Sequence, residues 1–216
     1  MNTRLRNIIF VSNVLIVALT GAAIFSMFFG KGGILAPTGW TSFKYFTVQS
    51  NVFVGFTSLL SVIFLYRKDG KYPNWLIPLK MIATVAVGVT FTTVVVYLGP
   101  IYSYPLLFEG TNLYMHLIIP VLALITFALL EPRQKLKFRF NFISLLPVII
   151  YGTCYLINVA VHNDYGNYYG ADWYAFGTYG LGIGLVCLSV LLLVVFAISI
   201  GLYFAHQKIA FKGIHK

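Results

Sequence analysis

Two residue types that together can cleave esters occur in separate apolar runs of the chain. The run 43–60 carries Thr47 and Asn51, and a later run carries His116 four residues before Pro120. A threonine hydroxyl becomes a nucleophile when a base accepts its proton, and a neutral imidazole is the commonest base available. Thr47 and His116 are therefore candidates for a dyad that attacks an ester carbonyl and forms an acyl-threonine.

Other polar residues follow Thr47 along the same run. At about 100° per residue, Thr47, Ser50, Asn51, Ser58 and Ser61 lie on one side of a helix. In hydrocarbon each of these groups needs a partner, so we expect this polar seam to face other helices or a wet cavity. Asn51 is a candidate oxyanion donor or the cap of a broken helix, with Ser50 as a supporting residue. Taken alone, Thr47 is better explained by a bond to a carbonyl within its own helix.

A further polar face lies in a later apolar run. Tyr151, Tyr155, Asn158 and His162 are spaced by four, three and four residues, which places them on one helical face. We predict that Tyr155, Asn158 and His162 line the same pocket. His162 and Asp164 are possible metal ligands, but two ligands without a matched third are weak evidence. We predict no metal and no cofactor.

The segments that position these residues are long and apolar. The chain has 216 residues, of which 59% are hydrophobic and 9% charged, which excludes an ordinary soluble domain. We predict an all-α polytopic membrane protein, a single domain over residues 1–216 with one bundle of six transmembrane helices. The predicted spans are 8–29, 43–66, 76–98, 113–130, 140–161 and 180–205.

Basic residues are distributed unevenly over the connections between these spans. By the positive-inside rule the asymmetry places both termini in the cytoplasm and predicts a multi-pass protein of the plasma membrane. Topology therefore explains the net charge of +10, and we expect no nucleic-acid partner. Lys31 and Lys44 lie on the outer side. The basic residues assigned to the inner side are Arg4, Arg6, Arg67, Lys68, Lys71, Lys80, Arg133, Lys135, Lys137, Arg139, Lys208, Lys212 and Lys216.

Counted from the predicted outer boundaries, Thr47 and His116 lie at a similar depth. Pro120 has no N–H for the carbonyl of His116, so we expect a kink in the fourth span. The last outer loop, residues 162–180, contains Trp173 and several tyrosines but no lysine or arginine. Aromatic side chains of this kind suit the headgroup layer, where amphipathic substrates arrive.

The run 44–47, KYFT, together with His116 near the outer start of the fourth span, resembles the androgen-induced-gene-1 and androgen-dependent TFPI-regulating protein family. Members of this family are multi-helix intramembrane threonine hydrolases that cleave fatty acid esters of hydroxy fatty acids. The resemblance implies that Thr47 is the nucleophile and His116 its catalytic partner. The adjacent Ser50 and Asn51 make the chain more similar to bacterial six-helix relatives.

Two functions from different classes are consistent with these patterns. The first is an intramembrane lipid-ester hydrolase of the bilayer that acts on a lipid or fatty-acyl ester near the outer face. The alternative is a non-enzymatic small-molecule-binding or transport protein, such as the substrate-capturing subunit of a vitamin importer. The alternative predicts ligand binding without covalent reactivity at Thr47.

Overall fold

Six long helices make up most of the structure, a computed structural model that describes residues 3–30, 38–67, 72–132 and 134–212. All six are long and apolar enough to cross a membrane, and no β-strand occurs in these ranges. The chain is therefore an all-α, multi-pass membrane protein, as predicted. The helices are α1 (Thr3–Phe29), α2 (Phe46–Tyr66), α3 (Leu76–Tyr102), α4 (Thr111–Leu130), α5 (Phe140–His162) and α6 (Leu181–Lys212).

Successive helices run in alternate directions, so the connections gather at two ends of the bundle. The aromatic end carries Trp40, Tyr102 and Trp173, and the basic end carries Arg67, Lys135 and Lys208. The positive-inside rule predicts that the basic end is cytoplasmic. Five residues used in that prediction lie outside the described ranges: Lys31, Lys68, Lys71, Arg133 and Lys216.

Helix α3 is the central helix of the bundle. Almost every residue from Leu76 to Thr90 is buried, and α3 packs against α2, α4 and α6. Small residues allow this close packing. A Cβ atom added at Gly88 would lie 3.2 Å from Ile198 of α6 and 3.3 Å from Leu124 of α4, so a larger residue has no free space there.

The polar seam of α2 is buried, as predicted from its spacing. Ser50, Asn51, Ser58 and Ser61 have relative exposures of 2% or less, whereas the neighbouring Gln49 is exposed. The side of α2 opposite the seam carries exposed apolar residues such as Phe56, Leu59 and Ile63, which suit contact with the bilayer. The seam therefore points into the bundle, where hydrogen-bond partners are present.

Lys80 does not belong to a basic connection, and its assignment there is wrong. It is a buried residue of α3 that forms an ion pair with Glu131 and a hydrogen bond with Oδ1 of Asn13. Asn13 also donates to Glu131 Oε1 at 3.1 Å. A lone ammonium group in a membrane interior is costly, so these contacts explain how Lys80 is tolerated. The cluster ties α1, α3 and the end of α4 together.

Candidate active site

His116 lies in a π-helical turn of α4, Tyr114–Ile118. The N–H of Ile119 donates to the carbonyl of Tyr114, five residues earlier. In this pattern each carbonyl accepts from the N–H five residues later. The carbonyl of Met115 would therefore need an N–H at Pro120, which has none. The expectation for Pro120 was a kink, and the structure shows a widened turn before it, a feature frequent at functional sites. The carbonyl that lacks its helical donor is that of Met115 rather than His116.

Asn51 supplies the missing donor. Its Nδ2 atom donates to the Met115 carbonyl at 3.0 Å and to the Thr47 carbonyl at 2.7 Å. The side chain is fully buried, and within the described residues its Oδ1 atom has no hydrogen-bond partner. Asn51 therefore connects α2 to the π turn that carries His116. Both of its amide hydrogens are occupied in this arrangement.

A backbone carbonyl orients the imidazole of His116. The Nδ1 atom lies 2.8 Å from the carbonyl oxygen of Leu107, at the end of the short helix Tyr104–Leu107 that precedes α4. A carbonyl can only accept, so Nδ1 carries the hydrogen, and Nε2 of the neutral ring has a free lone pair. No carboxylate in the described part of the chain bonds this ring. The orienting role that a triad gives to an acid therefore belongs to Leu107.

Thr47 and His116 line one cavity of about 120 Å³ at the aromatic end. Thr47 is in the first turn of α2, and its side chain is half-buried. Among the described residues its hydroxyl makes no hydrogen bond, either to His116 or to a carbonyl of its own helix. The cavity is large enough for ordered water, because one water needs about 10–15 Å³. The two side chains thus line a shared space, and no hydrogen bond joins them.

A second cavity, of about 100 Å³, lies on the other side of Thr47. It extends between α3, α5 and α6, and its wall is almost entirely apolar. Such a space suits a hydrocarbon chain better than a polar group. The apolar residues that line it include Phe46, Val89, Val94, Leu98, Val148, Leu156, Leu188 and Leu191.

The connection 163–180 folds over these cavities and is held by a buried carboxylate. Asp172 is fully buried and accepts hydrogen bonds from the N–H groups of Gly166 at 2.8 Å and Gly177 at 3.0 Å. The hydroxyl of Tyr155, on α5, donates to the same carboxylate. We call residues 163–180 the cap, since Asp172 fixes this loop on the end of α5.

Tyr174 connects the cap to the start of α2. Its hydroxyl oxygen accepts the N–H of Phe46 at 2.9 Å, and its ring lines both cavities beside Thr47. Burial raises the pKa of Tyr174 well above its usual value, so the phenol stays neutral. A neutral phenol keeps its hydrogen and satisfies an N–H that the first turn of a helix leaves without a partner.

The remaining predicted site residues have different surroundings. Tyr155 lines the apolar cavity, and Ser50 bonds Thr90 of α3 at 3.0 Å. Asn158 is half-buried and His162 is exposed, with its Nδ1 atom 2.8 Å from the Asn158 carbonyl. Neither Asn158 nor His162 lines the two cavities beside Thr47.

Asp164, the possible partner of His162 in a metal site, is held within the cap. Its carboxylate accepts the Ala171 N–H and the Asn167 amide, and these bonds lower its pKa below the usual value. In the part of the chain that the structure describes, no third histidine, cysteine, aspartate or glutamate joins this pair. The donor set is thus too small for the tetrahedral coordination that zinc prefers.

Asn112 is a residue of the cavity that the sequence interpretation missed. It is buried at the start of α4 and lines the space between Thr47 and His116. The predicted span 113–130 begins one residue after Asn112 and therefore places Asn112 in the preceding loop. Its spacing of four residues from His116 was the available signal, because residues i and i+4 share a helical face.

Comparison with protein-family models, with curated proteins and with solved structures finds no match to this chain.

Proposed function

We propose that the protein is an intramembrane lipid-ester hydrolase in which Thr47 is the nucleophile and His116 its general base. The observation that carries the proposal is the hydrogen bond between His116 and the Leu107 carbonyl. This bond assigns the ring hydrogen to Nδ1 and leaves a basic Nε2 on a side chain that shares a cavity with the Thr47 hydroxyl. A fatty-acyl ester, such as a fatty acid ester of a hydroxy fatty acid, is the proposed substrate.

The first half of the reaction acylates Thr47. Its hydroxyl oxygen attacks the ester carbonyl carbon while Nε2 of His116 takes the hydroxyl proton. Collapse of the tetrahedral intermediate breaks the bond to the alcohol oxygen, which receives the proton from Nε2. Acyl-threonine and a free alcohol result, and His116 is neutral again.

Water completes the cycle. His116 Nε2 takes a proton from a water molecule in the cavity as the water oxygen attacks the acyl-threonine carbonyl. Breaking the bond to the threonine oxygen releases a carboxylic acid, and the proton on Nε2 returns to Thr47. The position of the cavity at the aromatic end supports this step, since water reaches a site near an interface more readily than the bilayer centre.

Asn112 is the better-placed oxyanion donor. It lines the cavity with His116, and its side chain makes no hydrogen bond among the described residues. Asn51 can take that role only by releasing the carbonyl of Thr47 or Met115. The Thr47 carbonyl would still accept from the Ser50 hydroxyl at 3.1 Å, whereas leaving the Met115 carbonyl unpaired costs about 1–3 kcal/mol.

The apolar cavity beside Thr47, of about 100 Å³, would take the part of the acyl chain next to the ester. That cavity continues between α3, α5 and α6, away from the His116 side. The reactive ester would then lie at Thr47. The alcohol part would point towards Tyr45 and Trp173, which line the cavity shared by Thr47 and His116. This division supports an ester whose acyl part is apolar over an ester of two polar parts.

A non-enzymatic binding protein is the second candidate. The observation that favours it is the absence of a direct Thr47–His116 hydrogen bond among the described residues, combined with the aromatic lining of the cavity. Rings of this kind provide contact area for a small ligand without any chemistry. In that case the Thr47 hydroxyl would only donate or accept one hydrogen bond to the ligand.

A fluorophosphonate probe distinguishes the two functions. An activated Thr47 should form a covalent adduct, located by mass spectrometry on the peptide that contains it. Labelling should disappear in Thr47→Ala and His116→Ala. It should persist in Thr93→Ala, a matched control because Thr93 lines the apolar cavity. Equal labelling of wild type and Thr47→Ala, or no labelling of the wild type, would contradict the hydrolase.

A further inference from the structure

A groove of about 520 Å³ lies between α2 and α5 at the aromatic end. Its volume falls within the range of ligand pockets, about 300–1,000 Å³. It follows α2 from Phe46 to Phe53, which corresponds to about 10 Å at 1.5 Å per residue. The wall on the α5 side contains Pro147, Ile150 and Cys154. The groove is thus a mostly apolar slot, with Gln49 and Ser50 among its lining residues, that has room for part of one hydrocarbon chain.

Among the residues that the structure describes, Lys44 is the one charged side chain that lines this groove. Its Nζ atom lies 5.0 Å from the ring centroid of Trp173 and 5.2 Å from that of Tyr45. No carboxylate within the described ranges forms a salt bridge with it, since the ion pair found there is Lys80–Glu131. Aromatic faces attract an ammonium group without neutralising it. Lys44 therefore presents a positive charge at the mouth of an apolar slot.

The main chain at Lys44 is held in place. Its carbonyl accepts the hydroxyl of Tyr151 at 2.7 Å, and the indole N–H of Trp173 donates to the same Tyr151 at 3.2 Å. These bonds join α5, the cap and the segment before α2. The cation is therefore positioned by the fold, although its side chain is only half-buried.

The groove and the apolar cavity share a wall. Phe46, Tyr151 and Tyr155 line both, and the rings of Phe46 and Tyr151 have centroids 5.1 Å apart. One layer of aromatic side chains thus separates the groove from the space beside Thr47.

We propose that the groove binds a long-chain fatty acid, with its carboxylate at Lys44 and its chain between α2 and α5. One cation matches the single charge of a carboxylate, whereas polyanionic lipid headgroups are bound by clusters of about 4–8 basic residues. The source of the acid rests on the proposed hydrolysis, which releases a carboxylate one layer of side chains away. The groove is then the lateral route by which this product leaves for the bilayer.

Quenching of Trp173 fluorescence tests the binding. The protein used carries Trp40→Phe and Trp75→Phe, so that Trp173 is the remaining tryptophan of the three in the chain. It also carries Thr47→Ala, which removes turnover. Dibromostearic acid at pH 9 is compared with the dibromo alcohol of equal length, both titrated by mole fraction in detergent micelles. We expect the acid to quench at a mole fraction about tenfold lower than the alcohol.

Substitutions at Lys44 assign the preference to that residue. Lys44→Gln should abolish the acid-over-alcohol ratio, and Lys44→Arg should retain it. Arg67→Gln is the matched control, because Arg67 is an exposed cation near the ring of Phe64 at the basic end. If Lys44→Gln does not fold, the acid-over-alcohol quenching ratio of the protein with Lys44 and that of Lys44→Arg still test whether the groove prefers a carboxylate.

Three outcomes would overturn the proposal. They are equal quenching by acid and alcohol, an unchanged ratio in Lys44→Gln, and quenching by brominated phosphatidylglycerol as strong as that by the acid. The last would indicate a site for bulk anionic lipid. None of them bears on hydrolysis, because the tested protein lacks the Thr47 hydroxyl. Conversely, failure of fluorophosphonate labelling leaves the binding result unaffected.

Discussion

The Nδ1 atom of His116 lies 2.8 Å from the carbonyl oxygen of Leu107, so a neutral peptide group orients the candidate base. In a triad a buried carboxylate orients the histidine and also stabilises the imidazolium that forms. A carbonyl performs the first task without placing an additional charge in the membrane, where charges are costly. The imidazolium is less stabilised by a carbonyl, so we expect slower acylation than in enzymes with a full triad.

The first prediction concerns the joint action of Thr47 and His116. Each alanine variant should lose nearly all ester turnover, and the double variant should lose little more, because residues that act as one unit are strongly non-additive. Thr47→Ser should retain part of the activity, since the hydroxyl is kept. Steady-state hydrolysis of a long-chain ester measures all four variants. Independent, multiplicative losses would argue against a shared step.

The second prediction separates the roles of the two asparagines. Asn112→Ala should lower kcat by about 10²–10³-fold if Asn112 donates to the oxyanion. The effect of Asn112→Ala on stability should be small, because the Asn112 side chain makes no hydrogen bond among the described residues. Asn51→Ala should instead destabilise the fold, because it leaves the carbonyl of Met115 without its side-chain donor, whereas the Thr47 carbonyl still accepts from the Ser50 hydroxyl.

Parallel measurements of kcat and of reversible unfolding in mixed micelles decide between these assignments. A large loss of kcat in a fully stable Asn51→Ala protein would transfer the oxyanion role to Asn51.

The helices and the polar seam follow from periodicity, whereas several key contacts do not. Apolar run length predicts the spans because the bilayer sets a minimum helix length. The Leu107–His116 bond joins the last carbonyl of the short helix Tyr104–Leu107 to α4, and no side-chain pattern encodes such a main-chain acceptor. Lys80 was misassigned because a cation near a helix end resembles a loop residue until its partner is known. That partner, Glu131, is 51 positions away.

The third prediction concerns the buried ion pair. Removing one partner, in Lys80→Met or Glu131→Gln, should destabilise the protein by about 3–5 kcal/mol, because the other charge remains buried and unpaired. The double variant should be more stable than the sum of the two losses predicts. A double-mutant cycle of unfolding free energies measures this coupling. Additive losses would indicate that the two charges do not interact.

The fourth prediction concerns the cap. Asp172→Asn replaces one carboxylate oxygen by an NH2 group, which cannot accept the hydrogen bonds that this oxygen takes either from Tyr155 or from Gly166 and Gly177, at a cost of about 1–3 kcal/mol. The cap should loosen, which shifts the fluorescence emission of Trp173 to the red and speeds proteolysis within residues 163–180. Glu109→Gln, at an exposed carboxylate of the same end, is the control. Identical emission and proteolysis rates in both variants would show that Asp172 does not hold the cap.

The last prediction follows from the missing N–H of Pro120. Pro120→Ala provides a backbone donor for the Met115 carbonyl: the new N–H at 120 if the π turn persists, or Ile119 if the turn becomes α-helical. The carbonyl then no longer depends on Asn51. Asn51→Ala should therefore cost less stability in the Pro120→Ala background, by about 0.5–3 kcal/mol.

Unfolding of the two single variants and the double variant in mixed micelles measures this coupling. Ser61→Ala is the matched control, because Ser61 is a buried seam residue bonded to its own helix at Thr57, and its effect should be the same in both backgrounds. Ester turnover of Pro120→Ala reports whether the turn that carries His116 stays π-helical or becomes α-helical. A return to α-helical spacing would turn His116 away from Thr47 and lower kcat, whereas a persistent π turn would preserve it. An equal cost of Asn51→Ala in both backgrounds would mean that Asn51 does not replace the proline's missing donor.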